Sequence, residues 1–223
     1  MKLTPGFIGS AAGSCLIEMG RTRVVCTACL EEGVPKWRES REGLGWLTAE
    51  YGMLPASGGR RKARPMGRPD GRAAEIQRTI GRVLRNAVRF DRLGARTVYV
   101  DCDVLEADGG TRTAAITGSY VAVAQALSRA EARGVCRGGV LAGAVAAVSV
   151  GIVAGWAVLD LDYAEDEAAE VDMNVAMTAS GRFIEVQATG EKRPFDAGQL
   201  EAMLRLARRG IRKLLAMQQE ILR

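Results

Sequence analysis

Two adjacent glycines between a strand-like run and a helix-like run constrain this chain more than any other feature. The run Thr97-Val98-Tyr99-Val100-Asp101-Cys102-Asp103-Val104-Leu105 reads as a strand. The stretch Ala107-Asp108-Gly109-Gly110-Thr111-Arg112-Thr113-Ala114 then leads into Ala115-Ile116-Thr117-Gly118-Ser119-Tyr120-Val121, which reads as a helix. Glycines at such a junction let the backbone approach a ligand closely. The unpaired N–H groups of a helix's first turn suit an anion. Arg112, inside that turn, adds a planar fork of donors that fits phosphate. The junction therefore predicts a phosphate seat on Gly110, Thr111 and Arg112. It is not a Walker loop, because no Gly-Lys-Ser/Thr follows at the required spacing. An ordinary glycine turn beside a solvated arginine is the competing reading of this segment alone.

The rest of the composition narrows the chemistry. The chain has 223 residues, 48% of them hydrophobic and 26% charged, enough to bury a sizeable core. It has no histidine, which removes Ser-His and Cys-His nucleophilic pairs and histidine general bases together. Acid–base or metal work must rest on carboxylates, cysteines, lysines or tyrosine. Five cysteines and no recognisable signal peptide point to the cytoplasm. Cys26-Thr27-Ala28-Cys29 has CxxC spacing but lies in a strand-like run, where residues three apart face opposite sides. These two cysteines are expected to be structural. No apolar run reaches membrane-spanning length, so no membrane partner is expected.

Strand patterns occupy residues 14–18 and 23–30, joined by a turn, and a third lies within 44–54. Residues 56–71 are rich in glycine, proline and arginine and read as a long mobile loop. A helix is expected over 72–90, with Ile76, Ile80, Val83, Leu84 and Ala87 on one face and Arg78, Arg82, Arg85 and Arg89 as a basic ridge beside it. The strand at 96–105 and the helix from the glycine junction to about residue 133 follow. Two hairpins are expected next, 144–153 with 156–163 and 173–178 with 182–188. A last helix over 196–222 carries Leu200, Met203, Leu204, Ala207, Ile211, Leu214 and Leu215 at helical spacing. Strands then a helix, twice, give an α+β class with a weak internal duplication.

Three further groups carry chemistry. Arg72 stands at the start of the basic helix, where it offers a second anion contact or simply meets solvent. Acidic residues crowd 160–172 between two strands, and Asp166 and Asp172 flank a short Ala-Ala segment that would bring them together. Such a cluster is either solvated or a site for a hard cation such as Mg²⁺, which needs one or two carboxylates plus substrate phosphate. The loop arginines Arg60, Arg61, Arg64 and Arg68, with Arg78, suit a polyanion, for which a nucleic-acid phosphate backbone is the usual partner; a disordered solubilising loop is the competing reading.

Several ordered segments resemble the RNase PH family of bacterial phosphate-dependent 3′ exoribonucleases. They include Thr48-Ala49-Glu50-Tyr51-Gly52-Met53-Leu54-Pro55, Glu75-Ile76-Gln77-Arg78, residues 107–114, Glu165-Asp166 and Asp172-Met173-Asn174-Val175. The resemblance runs nearly end to end. It implies a single RNase PH domain over residues 1–223, with duplicated βαβα halves of the type seen in ribosomal protein S5 domain 2. It implies a ring, a hexamer built as a trimer of dimers. It also implies phosphate-dependent removal of 3′-terminal nucleotides from tRNA precursors, with nucleoside diphosphates released. On this reading Arg72, Gly110, Thr111 and Arg112 bind inorganic phosphate, the co-substrate. Asp166 and Asp172 hold Mg²⁺, or one of them gives a proton to the leaving oxygen. Two departures stand out. The family's Arg-x-Asp-Gly-Arg segment has no counterpart ahead of Met1, and the arginine loop is short and carries Pro65 and Pro69. The alternative is a non-catalytic RNA-binding ring subunit of the same fold.

Overall fold

The computed structural model describes residues 1–40, 43–64 and 70–223. Among the described residues, nine strands form two sheets. In the first, β1 (Lys2–Pro5), β2 (Gly13–Met19), β3 (Thr22–Glu32), β5 (Arg96–Glu106) and β4 (Trp46–Met53) lie in that order. In the second, the order is β7 (Trp156–Leu159), β6 (Val145–Val153), β8 (Val171–Thr178) and β9 (Phe183–Thr189). The halves repeat the scheme of sheet plus packing helix but differ in connection. The first contains a parallel pair, β4 with β5, joined through the helix α2 (Gly71–Leu84). The second is antiparallel throughout. The edge strand β1 extends the first sheet beyond the strands expected from the pattern.

The longest burial belongs to the helix that follows the glycine junction. This helix, α4 (Thr111–Ala132), is buried continuously from Thr113 to Ala124. It is apolar nearly all round, as a helix enclosed on every side must be. One face packs on Ile17, Cys26 and Val100 of the first sheet; another meets Val145 and Ala147 of the second. The last helix, α6 (Ala197–Ile221), covers the far face of the second sheet with Met203, Ala207, Ile211 and Leu214 against Val148, Val150 and Met173. The layers are therefore sheet, helices α2 and α4, sheet, and α6. Gln218 near the end of α6 donates to the backbone oxygens of Thr117 and Val145, 2.9 and 3.0 Å away, tying α6 to α4 and β6.

Three boundaries depart from the sequence pattern. The helix expected over 72–90 stops at Leu84, passes through a 3₁₀ turn at Arg85–Ala87, and gives way at Val88 to an isolated bridge with Leu141. A four-residue helix α3 (Phe90–Leu93) follows, and another, α1 (Lys36–Glu39), precedes β4. Arg85 does not continue an exposed ridge. Its guanidinium sits 4.7 Å from the Trp46 ring and donates to Leu47 O, while Arg82 pairs with Glu185 at 2.8 Å. The strand expected over 156–163 ends at Leu159. Tyr163 instead opens a short helix, α5 (Tyr163–Ala168), because Asp162 and Glu165 form a capping box that satisfies its first N–H groups. The acidic cluster is thus partly helical.

Cys26 is fully buried and Cys29 lies on the opposite, partly open face of β3. All five thiols are unpaired. Burial pushes Cys15 up to about 12 and Cys26 well above the usual thiol range, so both behave as small apolar groups.

Candidate functional site

The two halves meet where β5 turns into α4. Gly109 and Gly110 both have positive φ, +81° and +56°. Gly109 presses against the backbone of Leu161 and Asp162, where a Cβ would overlap the Leu161 carbonyl. This glycine lets the seat of one half touch the acidic segment of the other. Gly110 is the N-cap of α4, in left-handed geometry. The buried Thr22 fixes the turn from the side, donating to Gly109 O at 2.6 Å and accepting from Asp108 N at 2.8 Å.

The first turn of α4 then offers Thr111 and Arg112, and each is held by residues distant in sequence. The Tyr51 hydroxyl donates to Thr111 Oγ1 at 2.8 Å. With Oγ1 occupied as an acceptor, the Thr111 proton is free to point outward. Burial raises the Tyr51 pKa, with the charges of Arg72 and Arg112 opposing it, so the phenol stays a donor. Arg112 donates to Glu75 Oε2 at 2.7 Å from α2 and to Gln187 Oε1 from β9. Its side chain is only 15% exposed. The resemblance quoted Tyr51 and Glu75 without a role, and no sequence signal pointed to Gln187.

Arg72 is the second residue of α2, exposed, and its charge acts on Asp166, Asp172 and Tyr51. Asp166 lies on α5 and Asp172 is the second residue of β8, after the turn through the buried Ala169. Burial raises both pKa values. Asp172 reaches about 6; burial is the main cause, the Asp166 charge adds to it, and Arg112 and Arg72 oppose it. Asp172 accepts from Asn174 Nδ2 at 3.3 Å. The four charged residues singled out from sequence therefore share one electrostatic neighbourhood around the start of α4.

Arg60, Arg61 and Arg64 are exposed on the segment after β4. Its base is tied to the seat: Ala107 N donates to Ser57 O at 2.8 Å. Arg68, with Pro65 and Pro69, lies outside the described residues. Arg78 is exposed and donates to Ala74 O of its own helix. No group of three or more metal-ligating side chains gathers among the described residues.

The chain matches the model of the 3′ exoribonuclease family, domain 1, over residues 1–128, and that of domain 2 over 143–210. It is 52% identical over 224 residues to Ribonuclease PH of Corynebacterium glutamicum (strain R), covering 100% of this chain and 91% of that one. Among solved structures, the Archaeoglobus fulgidus exosome with RNA bound to the active site superposes with a TM-score of 0.81 at 20% identity, over 97% of this chain and 87% of that one. Rice Rrp46 superposes with a TM-score of 0.80 at 15% identity, over 100% and 94%. At these identities the two structures speak for the fold alone.

Proposed function

The chain belongs to the 3′ exoribonuclease family, and from that premise we propose that it is a phosphate-dependent 3′–5′ exoribonuclease that trims tRNA precursors and releases nucleoside diphosphates. The observation that carries this reading is the convergence of Arg72, Arg112, Asp166 and Asp172 beside the start of α4.

Inorganic phosphate sits at the α4 N-terminus, held by the N–H groups around Thr111, the Thr111 hydroxyl, Arg112 and Arg72. Glu75 and Gln187 keep the Arg112 fork aimed, so little reorganisation is needed when the anion arrives. A phosphate oxygen attacks the last phosphodiester in line, and the bond from that phosphorus to the 3′ oxygen of the preceding nucleotide breaks. The electron pair goes to that 3′ oxygen, which takes up the proton carried by the incoming phosphate. The products are a nucleoside diphosphate and an RNA shorter by one residue. The arginines offset the negative charge that builds on the phosphoryl oxygens.

The aspartate pair fits Mg²⁺. Two partly buried carboxyls, one of them raised further by the charge of the other, gain from a shared cation, and Mg²⁺ needs only one or two carboxylates when substrate supplies further oxygens. Asp166 and Asp172 would hold it. Bound there, the ion would neutralise charge on the leaving oxygen.

Arg60, Arg61, Arg64 and Arg68, together with Arg78, guide the RNA strand towards the seat. The whole chain acts as one catalytic domain, and we assign it to a hexameric ring in the cytoplasm. The five unpaired thiols support a reducing compartment.

The test is incubation with Mg²⁺ and a 3′-extended tRNA, with and without phosphate. Nucleoside diphosphates should appear only with phosphate. No release while RNA remains bound would instead make the chain a non-catalytic RNA-binding ring subunit.

A further inference from the structure

The end of the first sheet remote from the seat is also basic. Strand β5 runs from Arg96 to Glu106, close to the seat, and its eleven residues span roughly 33 Å. At its Arg96 end lies a cleft of about 550 Å³, lined by Arg92, Arg96 and Arg137, with Asp91, Leu44 and Cys136 among its other walls. The charges here are only partly neutralised. Arg96 pairs with Glu32 at 2.8 Å, and Arg92 lies 4.0 Å from Asp91. Arg89 and Arg92 each donate to one backbone oxygen, of Gly139 and Gly138, which cancels no charge. Arg137 makes no ion pair among the described residues, and its backbone N–H donates to Arg92 O at 3.0 Å, which sets the two arginines side by side.

An aromatic group adjoins the cleft. Phe90 opens the helix that supplies Asp91, Arg92 and Leu93 to the wall. Trp46 stacks on Phe90 with ring centroids 6.0 Å apart, and Trp37 meets Trp46 edge-on at 4.8 Å. Arg38 and Arg85 lie against the Trp46 ring at 4.8 and 4.7 Å and hold it rigid. Trp37 is nonetheless 61% exposed. An exposed indole on a rigid base, at the same end of the sheet as partly neutralised arginines, is a combination that suits unpaired bases and their phosphates.

We propose that this remote pole is a second RNA-contact surface. It takes the body of a folded RNA whose 3′ end lies in the seat, through phosphate contacts to Arg92 and Arg137 and stacking of an unpaired base on Trp37. The inference rests on the exoribonuclease reading, and it separates long substrates from short ones, because a short oligonucleotide that fills the seat does not reach the pole.

The test compares the wild-type protein with the combined variant Trp37→Ala, Arg92→Gln and Arg137→Gln, using a 3′-extended tRNA and a short single-stranded oligonucleotide under the same phosphate and Mg²⁺. The three side chains are exposed, and a second variant, Arg92→Lys with Arg137→Lys, keeps the charge. The combined variant should raise KM for the tRNA by about 10-fold or more. It should also reduce the slope of log affinity against log salt by about 2. The oligonucleotide should be degraded at the unchanged rate, and the lysine variant should retain most of the tRNA affinity. Equal tRNA kinetics in variant and wild type would overturn the proposal. So would equal impairment on both substrates, or a change of oligomeric state on sizing, which would make the pole a contact between copies. Failure of the wild-type protein on the oligonucleotide would count against the exoribonuclease reading itself.

Discussion

The phosphate seat and the aspartate pair sit side by side but are built on opposite principles. In the seat the polar groups have partners before any ligand arrives: Thr22 for the turn, Tyr51 for Thr111, Glu75 and Gln187 for Arg112. In the aspartate pair, burial raises the pKa of both carboxyls, the Asp166 charge raises Asp172 further, and Asp172 accepts one long hydrogen bond from Asn174. On the proposed function the seat is preorganised for its anion. The pair is held in a state that the proposed cation would relieve. One region has its partners without a ligand, and the other is the one a ligand would stabilise.

The largest effect expected of that contrast is at Asp172. Asp172→Asn should lower phosphorolysis by about 10³-fold or more while leaving RNA affinity intact, measured as nucleoside diphosphate release and as binding; activity within a few-fold of wild type would remove the carboxylate from the mechanism. The same residue makes the comparison visible in stability. Its folded pKa, about 6, lies above the ordinary value of 3.8, so between those values the folded state binds more protons than the unfolded one. Stability in chelator should therefore fall as pH rises from about 4 to about 6. Asp172→Asn should flatten that slope, leaving the smaller part owed to other buried carboxyls such as Asp166, and Mg²⁺ should restore wild-type stability at neutral pH. A thermal melt series across pH measures all three.

Next in size is Arg112→Ala, expected to cost about 10²-fold in kcat/KM for phosphate and about 1–3 kcal/mol of stability through its lost bonds to Glu75 and Gln187. A near-normal rate at saturating phosphate would reassign the anion contact. Gly109→Ala attacks the point where the two regions touch. A Cβ there overlaps the Leu161 carbonyl at φ +81°, so the variant should lose about 2 kcal/mol of stability and impair phosphate use and Mg²⁺ response together. Loss of only one response would show that the regions are independent. The smallest effect belongs to Tyr51→Phe. It removes the donor to Thr111 Oγ1 and should raise KM for phosphate several-fold with kcat nearly unchanged, in keeping with one hydrogen bond; an unchanged KM would leave Tyr51 a core residue only.

Much of this was legible in the chain. Periodicity placed the apolar face of α2, including Ile76, Ile80 and Val83, and that of α6, including Met203, Ala207 and Ile211, and all six are buried. Strand alternation put Cys26 and Cys29 on opposite faces. The places where pattern misled are local contests won by side chains far away or by caps. Arg85 left the basic ridge for Trp46, a residue 39 positions earlier (85 − 46). Tyr163 left a strand because Asp162 and Glu165 capped a helix.

By itself the sequence determined most of the secondary structure, the glycine junction and, through its resemblance, which arginines and aspartates to watch. Composition and spacing act over a few residues, and those features are set over a few residues. Only the tertiary structure decided that Gly109 serves the contact between halves, that Glu75 and Gln187 hold Arg112, and that Asp166 and Asp172 repel one another under two arginines. The partners holding Thr111 and Arg112 are separated by 37 to 75 positions, and at that distance only the packing of α4 between two sheets brings them within reach.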